Sequence, residues 1–114
     1  MTENLRWRVE FYLDARDRNP VLDFLNTLPR QERAKLFRVF RLLREYGTAL
    51  AMPHARPVGN IWELRAGDER VFYFAYTGRR FVLLHAFRKK TQQTPERELQ
   101  IAERRMADFL GRSK

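Results

Sequence analysis

Hydrophobic and polar residues alternate one by one near the start of the chain, between Arg6 and Leu13. The apolar positions of this segment are Trp7, Val9, Phe11 and Leu13. A period of two is typical of a β-strand with one buried face. Asn19 and Pro20 break the pattern. The alternation therefore predicts a first strand over Arg6–Leu13.

The spacing of apolar residues then changes to that of α-helices. A short helix is predicted over Pro20–Thr27, and it ends before Pro29 because proline disfavours the helical conformation of the preceding residue. The longest predicted helix runs from Pro29 to Tyr46, with Gly47 as its C-cap. Its apolar stripe consists of Leu36, Val39, Phe40 and Leu43. A second side carries Arg30, Arg33, Arg41 and Arg44. The sequence leaves open whether that side is a solvated helix face or a docking surface for phosphates.

Three strand patterns follow a segment that contains prolines and has no clear period. This segment, Thr48–Asn60, is predicted to be a loop. The strands are predicted at Ile61–Ala66, Glu69–Tyr76 and Arg79–Phe87. Short turns at Gly67-Asp68 and Thr77-Gly78 separate them, which predicts an antiparallel meander.

The last predicted element is a helix with clear start signals. Thr94 is predicted as its N-cap, Pro95 as its first residue and Gly111 as its end. Its buried stripe is predicted to be Leu99, Ala102, Met106 and Phe109. The order β-α-α-β-β-β-α predicts a single α+β domain over residues 1–114. We expect a four-stranded, mostly antiparallel sheet with the helices packed on one face.

Composition narrows the class of protein. The chain has 114 residues, of which 44% are hydrophobic, and this is sufficient for a packed core. It contains no cysteine, which excludes disulfides, thiolate catalysis and cysteine-based zinc sites. No apolar run approaches the length of a membrane span, and the first residues lack the pattern of a secretory signal. A cytoplasmic protein is therefore expected.

Charge points to the class of partner. The formal net charge is +9. Residues 70–94 contain no acid, and their basic residues are Arg70, Arg79, Arg80, Arg88, Lys89 and Lys90. A folded segment with such a basic surface favours a polyanionic partner, most often nucleic acid.

The residue types also limit the catalytic chemistry. Carboxylates are not clustered as a metal nuclease requires, and no glycine-rich phosphate loop is present, so no metal or cofactor is expected. Arginine, lysine, histidine and tyrosine can cleave RNA without a metal, because the 2′-hydroxyl of RNA is the nucleophile. Crowding of like charges near Lys89 would favour a neutral lysine base. The same residues also fit simple phosphate binding.

Near the end of the last predicted strand, alternation indicates which candidate catalytic and RNA-binding residues share a face of the sheet. Strict alternation places Phe81, Leu83, His85 and Phe87 on one face. We expect that face to be open near Arg65, so that Phe87 can stack a base. If the alternation continues beyond the predicted strand, Lys89 lies on the same face as Phe87 and Lys90 lies on the other face. Lys89 is therefore predicted to be the catalytic lysine of the two. Core packing of Phe87 and a structural hydrogen bond of His85 remain alternatives.

A series of short motifs occupies the second half of the chain. In order, these are Glu63-Leu64-Arg65, Arg70, Leu83-Leu84-His85, Phe87, Lys89-Lys90 and Thr94-Pro95. Together they resemble the phage-derived, HigB-like branch of the RelE/ParE toxin superfamily. The resemblance is strong over residues 56–106. It is looser before them, where only the element order and Ala55-Arg56-Pro57 agree.

The resemblance implies the toxin of a type II toxin–antitoxin pair, which cleaves mRNA on the ribosome without a metal. It also implies a cognate antitoxin, in this branch usually a helix-turn-helix protein. On this basis the predicted catalytic residues are Lys89, Arg65, Arg70 and His85. The predicted RNA-binding residues are Arg56, Phe87, Arg88 and Lys90.

Two other functions stay open at this point. A gyrase-poisoning toxin of the ParE kind would use a similar scaffold, although the cluster of lysine, histidine and arginine disfavours it. A nucleic-acid-binding module without enzymatic activity fits the net charge equally well. A helix-turn-helix protein encoded next to this chain would favour a toxin over the binding module.

Overall fold

The structure, a computed structural model, describes residues 6–90 and 95–113. The first half contains strand β1 (Arg8–Phe11), helices α1 (Pro20–Asn26) and α2 (Arg30–Tyr46), and a 3₁₀ turn at Gly47–Ala49. The second half contains β2 (Ala55–Val58), β3 (Ile61–Ala66), β4 (Glu69–Tyr76), β5 (Arg80–Arg88) and α3 (Glu96–Arg112). The predicted α+β class is confirmed. No helix of the described residues is long and apolar enough to cross a membrane.

The strands form one sheet in the order β1-β5-β4-β3-β2. β1 runs parallel to β5, and the other neighbours are antiparallel. The sheet has five strands rather than the predicted four, because Ala55–Val58 lies within the predicted loop and pairs with β3. Pro57 obscured this strand in the sequence. Proline lacks the N–H that a central strand needs, but it is tolerated on an edge strand such as β2.

Helices cover both faces of the sheet, so the prediction of helices on one face is wrong. One core lies between α1, α2 and the sheet, and it includes Leu25, Leu36, Leu43, Leu64 and Leu83. A second core lies under α3, and it includes Ile61, Phe72, Leu84, Phe87 and Ala102. The central strands carry apolar residues at successive positions, so each of their faces must be buried against a helix.

A β-bulge on β5 changes which residues share a face. Phe72 pairs with His85 and Tyr73 pairs with Leu83, so Leu84 is an extra residue in β5. Leu83 therefore faces α2, whereas Leu84 and His85 both face α3. The strict alternation predicted over positions 81–87 holds through Leu84 and is wrong from His85 onward, because His85 and Phe87 lie on the face of Leu84 and not on that of Leu83.

The ends of several elements differ from the prediction by a few residues. β1 is shorter than predicted, and beyond it Tyr12 is buried while Leu13 is 41% exposed. α3 begins after Pro95, which is its N-cap, and continues through Gly111. The predicted cap Thr94 lies outside the described residues. The predicted end of α2 is confirmed: Gly47 has a positive φ of 57°, and a Cβ there would clash with the indole of Trp7.

Candidate active site

Three arginines on neighbouring strands and a lysine just after β5 surround one acidic residue on the α3 side of the sheet. Cross-strand pairing places Arg56 opposite Glu63 and Arg65 opposite Arg70. Lys89 follows β5, and its backbone amide donates to the carbonyl of Asp68 at 2.8 Å. We call these residues, Arg56, Arg65, Arg70 and Lys89 around Glu63, the cationic cluster.

Glu63 is the buried centre of the cationic cluster. Its side chain is fully buried, and Oε1 accepts a hydrogen bond from Nε of Arg56 at 2.8 Å. Nε of Arg70 lies 3.9 Å from the same oxygen. A carboxylate is costly to bury unless cations and donors compensate its charge. The two arginines supply that compensation from the strands on either side of β3.

Arg70 is held in place by the turn between β3 and β4. Its side chain is 8% exposed, and Nη1 donates to the carbonyls of Gly67 at 2.7 Å and Glu69 at 3.0 Å. Within the described residues, its Nε makes no hydrogen bond. Burial lowers the pKa of the Arg70 guanidinium and Arg65 acts in the same direction, whereas Glu63 opposes them. An arginine remains charged under these conditions, so the cluster contains a rigid, buried positive charge.

Lys89 is half-buried at the edge of the cationic cluster. Burial lowers the pKa of its ammonium group, Arg70, Arg56 and Arg65 act in the same direction, and Glu63 acts against them. A lysine with a lowered pKa has a larger neutral fraction near pH 7 than an ordinary lysine. A neutral amine is the form that can accept a proton.

Arg65 extends the positive surface around the end of the sheet. Its Nη1 lies 3.6 Å from Sδ of Met52, in the segment before β2. Arg65 also borders a cleft of about 430 Å³, to which α2 contributes Lys35 and Arg38 and the segment before β2 contributes His54. The residues that line this cleft include no acid. Basic side chains therefore continue from the α3 side of the sheet to the α2 side.

His85 lies apart from the cationic cluster and binds α3 through both ring nitrogens. Nε2 lies 2.5 Å from Oε1 of Glu98, and Nδ1 lies 3.0 Å from Nη1 of Arg105. A guanidinium can only donate, so Nδ1 accepts and the proton is on Nε2. Burial lowers the pKa of His85, although the Glu98 hydrogen bond raises it. A neutral imidazole with a hydrogen bond at each ring nitrogen suits a structural role. The catalytic role predicted for His85 stays a prediction.

Phe87 is a core residue. It is 6% exposed, its ring lies 5.2 Å from that of Phe72, and it stacks on the imidazole of His85 at 5.7 Å. The prediction that Phe87 lies on an open face and stacks a base is therefore wrong. α3 covers the face that the sequence interpretation left open.

Arg88 and Lys90 differ from Lys89 in their surroundings. Nη1 of Arg88 donates to Oε2 of the buried Glu69 at 2.8 Å. Side chains alternate along β4 and β5, so this pair lies on the face opposite Arg70 and outside the cationic cluster. Lys90 is exposed after the end of β5. RNA binding by Arg88 and Lys90 stays a prediction.

The sequence interpretation missed the role of Glu63, although it quoted the residue within a motif. A signal was present: a carboxylate lies in a strand between the apolar residues Trp62 and Leu64, at a position that alternation buries together with Ile61. Among residues 6–90 and 95–113, no three histidine, aspartate or glutamate side chains are grouped as a metal site would require.

Comparisons with known proteins identify the family and the fold. Residues 23–107 match the family described as phage-derived protein Gp49-like. A comparison with curated proteins gave no significant match. The RelBE2 toxin–antitoxin complex from Mycobacterium tuberculosis contains a similar chain, with 21% identity and a TM-score of 0.53, over 75% of this chain and 100% of that one.

A second similar structure is the archaeal RelE–RelB complex from Pyrococcus horikoshii. It has 18% identity and a TM-score of 0.56, over 78% of this chain and 100% of the matched chain. The TM-scores show a shared fold, and the family match covers most of the sequence, including the cationic cluster. The chain therefore belongs to the phage-derived Gp49-like family, and it folds like the chains of the RelE complexes.

Proposed function

We propose that this protein is the toxin of a type II toxin–antitoxin pair and that it cleaves mRNA on the ribosome without a metal ion. Membership of the Gp49-like family supports a toxin, as does the similarity to chains solved in toxin–antitoxin complexes. The observation that carries the catalytic proposal is the position of Lys89 at the edge of the cationic cluster, where burial and three arginines lower the pKa of its amine.

The proposed reaction uses the RNA as its own nucleophile. Neutral Lys89 accepts the proton of a 2′-hydroxyl, whose oxygen attacks the adjacent phosphorus. The new 2′-oxygen–phosphorus bond forms as the phosphorus–5′-oxygen bond breaks. Arg70 and Arg65 stabilise the negative charge that grows on the phosphoryl oxygens. In this scheme water protonates the leaving 5′-oxygen, and the products are a 2′,3′-cyclic phosphate and a 5′-hydroxyl.

The cationic cluster also indicates which molecules the protein would bind. The cationic cluster and the basic cleft beside it would contact phosphates of mRNA and of the ribosome. A cognate antitoxin with an acidic segment would neutralise the protein by covering the cationic cluster. A helix-turn-helix antitoxin remains the form that the sequence motifs predict.

The decisive experiment is cleavage of a defined mRNA on programmed ribosomes, followed by analysis of both new ends. The proposal predicts cleavage that needs ribosomes, with a 2′,3′-cyclic phosphate upstream and a 5′-hydroxyl downstream. A 5′-phosphate at the cut would contradict attack by the 2′-hydroxyl. Loss of DNA supercoiling activity by gyrase, without RNA cleavage, would indicate the ParE-like alternative.

A further inference from the structure

We infer that Glu63 is a positioning residue of the proposed nuclease: its buried carboxylate orients Arg56, balances the buried charge of Arg70 and keeps a negative charge beside Lys89. The catalytic part of this inference rests on the proposed function. The structural part concerns the cationic cluster itself, so it can be tested even in a protein that does not cleave RNA.

Stability alone is a weak reason for Glu63. Its side chain is fully buried, and the side chain of its partner Arg70 is 8% exposed. Replacing a buried ion pair by apolar residues of similar volume is often neutral or stabilising. A carboxylate at this position instead gives a defined direction to the guanidinium of Arg56 and places a compensating charge 3.9 Å from Nε of Arg70. Directional placement is the property that a site for a phosphoryl group requires.

Arg56 shows this effect most clearly. Its side chain is 37% exposed, and an exposed arginine on an edge strand would ordinarily sample several rotamers. The 2.8 Å hydrogen bond from Nε to Glu63 fixes the guanidinium while the side chain still reaches solvent. The ordering cost is thus met before RNA binds.

Glu63 also determines the electrostatic surroundings of Lys89. The charged groups that act on Lys89 are Arg56 on β2, Glu63 and Arg65 on β3, and Arg70 on β4. Among these described groups Glu63 alone favours the protonated amine, and the arginines favour the neutral one. Loss of the Glu63 charge therefore lowers the pKa of Lys89 further.

The test compares Glu63→Gln and Glu63→Asp with the control Glu69→Gln. Glu69 is also a buried carboxylate that is bonded to an arginine at 2.8 Å, but it lies on the opposite face of the sheet. Two measurements are made on each protein. The first is the Lys89 titration by NMR of the lysine side chains, of which the chain has four. The second is the pH dependence of kcat for mRNA cleavage on ribosomes. Thermal unfolding confirms that each variant is folded.

Glu63→Gln should lower the pKa of Lys89 and move the acid limb of the kcat profile to lower pH. It should also reduce the maximal kcat by about 10- to 100-fold, because Arg56 loses the carboxylate that orients it and Arg70 loses its counter-charge. Glu63→Asp keeps the charge, so its acid limb should stay near that of the wild type while its kcat falls. Glu69→Gln should resemble the wild type in both measurements.

A folded Glu63→Gln protein with the wild-type Lys89 titration would overturn the inference, whether or not the protein cleaves RNA. If Glu63→Gln does not fold, a folded Glu63→Asp protein with full kcat would overturn it. Absence of cleavage by the wild type would instead contradict the proposed function, and the NMR titration would still decide the role of Glu63.

Discussion

The imidazole of His85 on β5 is hydrogen-bonded to the carboxylate of Glu98 on α3. Polar contacts of this kind attach α3 to the sheet along its length. Near the other end of the helix, the hydroxyl of Tyr12 donates to Asp108 at 2.6 Å. Arg105 lies between them and donates to the carbonyl of Leu84 at 3.0 Å. The helix is thus fixed by directional bonds in addition to apolar packing.

The burial of His85 predicts that stability depends on pH, because burial lowers the pKa of its imidazole more than the Glu98 hydrogen bond raises it. The pKa of His85 is lower in the folded protein than its ordinary value of 6.5, so the unfolded chain binds the proton more tightly. This contribution to stability is complete above that ordinary value and is lost as the pH falls through it toward the folded pKa. Urea unfolding at about pH 7.5 and about pH 5.5 should show lower stability at the acidic pH. His85→Gln should reduce this difference, and an unchanged difference would contradict the assignment.

Lys89→Ala should abolish mRNA cleavage. Loss of a positioned proton-transfer group typically lowers the rate by about 10²–10⁴-fold. Lys90→Ala is the matched control, because it removes an equal charge one residue away at an exposed position. Cleavage kinetics on ribosomes, together with growth arrest after induction, measure both variants. A folded Lys89→Ala protein with full activity would remove this residue from the mechanism.

Ribosome binding should weaken steeply as salt increases. Each phosphate that a basic residue neutralises releases counterions. If the six basic residues between positions 70 and 94 each contact one phosphate, the slope of log K against log salt is roughly −4 to −5. Lys90→Ala should make the slope less steep by about 0.7–0.9 if Lys90 contacts a phosphate. Sedimentation binding over a salt series provides the measurement. A slope near zero would exclude an electrostatic interface.

A bound antitoxin should protect the cationic cluster. The chain has four lysines, Lys35, Lys89, Lys90 and Lys114, so amine acetylation gives a simple footprint. We expect Lys89 to be acetylated in the free protein and protected in the complex. Lys35 lies by the cleft on the α2 side and serves as an internal reference. Unchanged acetylation of Lys89 in a neutralised complex would mean that the antitoxin acts without covering this site.

Gly47→Ala should destabilise the protein more than Gly67→Ala. Both glycines have a positive φ, but a Cβ at Gly47 would meet Trp7, whereas a Cβ at Gly67 would meet nothing within 4 Å. We expect a loss of about 1–2 kcal/mol for Gly67→Ala from backbone strain alone. Gly47→Ala adds overpacking of about 1–3 kcal/mol. Urea unfolding at neutral pH compares the two, and equal losses would contradict the clash.

Much of the fold was predictable because its signals are local. The bounds of β3 and β4, the helical stripe that includes Leu36 and Leu43, and the C-cap at Gly47 all follow from periodicity and turn residues. The bulge at Leu84 was not predictable in this way, because it depends on pairing with β4. The same holds for β2, whose Pro57 is acceptable only because the strand lies at an edge.

The site was predictable in its residue types and less so in its arrangement. The pattern predicts Lys89 on the same side of the sheet as Phe87, although it assumes no bulge. The pattern could not show that α3 buries Phe87, or that Glu98 and Arg105 form hydrogen bonds to the ring nitrogens of His85. Those contacts join residues that are distant in sequence. The burial of Glu63 likewise depends on three strands that meet only in the folded sheet.

The pairing of β1 with β5 has a consequence for synthesis of the protein. Glu10 and Arg80 are ion-paired across this junction although they are 70 positions apart in the chain. A contact between residues so far apart in the chain forms late in folding, because the entropic cost of closing a large loop must be overcome first. During translation β1 has no partner strand until β5 has left the ribosome. By then Arg56, Arg65 and Arg70 have already emerged, so the nascent chain exposes its arginines before its sheet is complete.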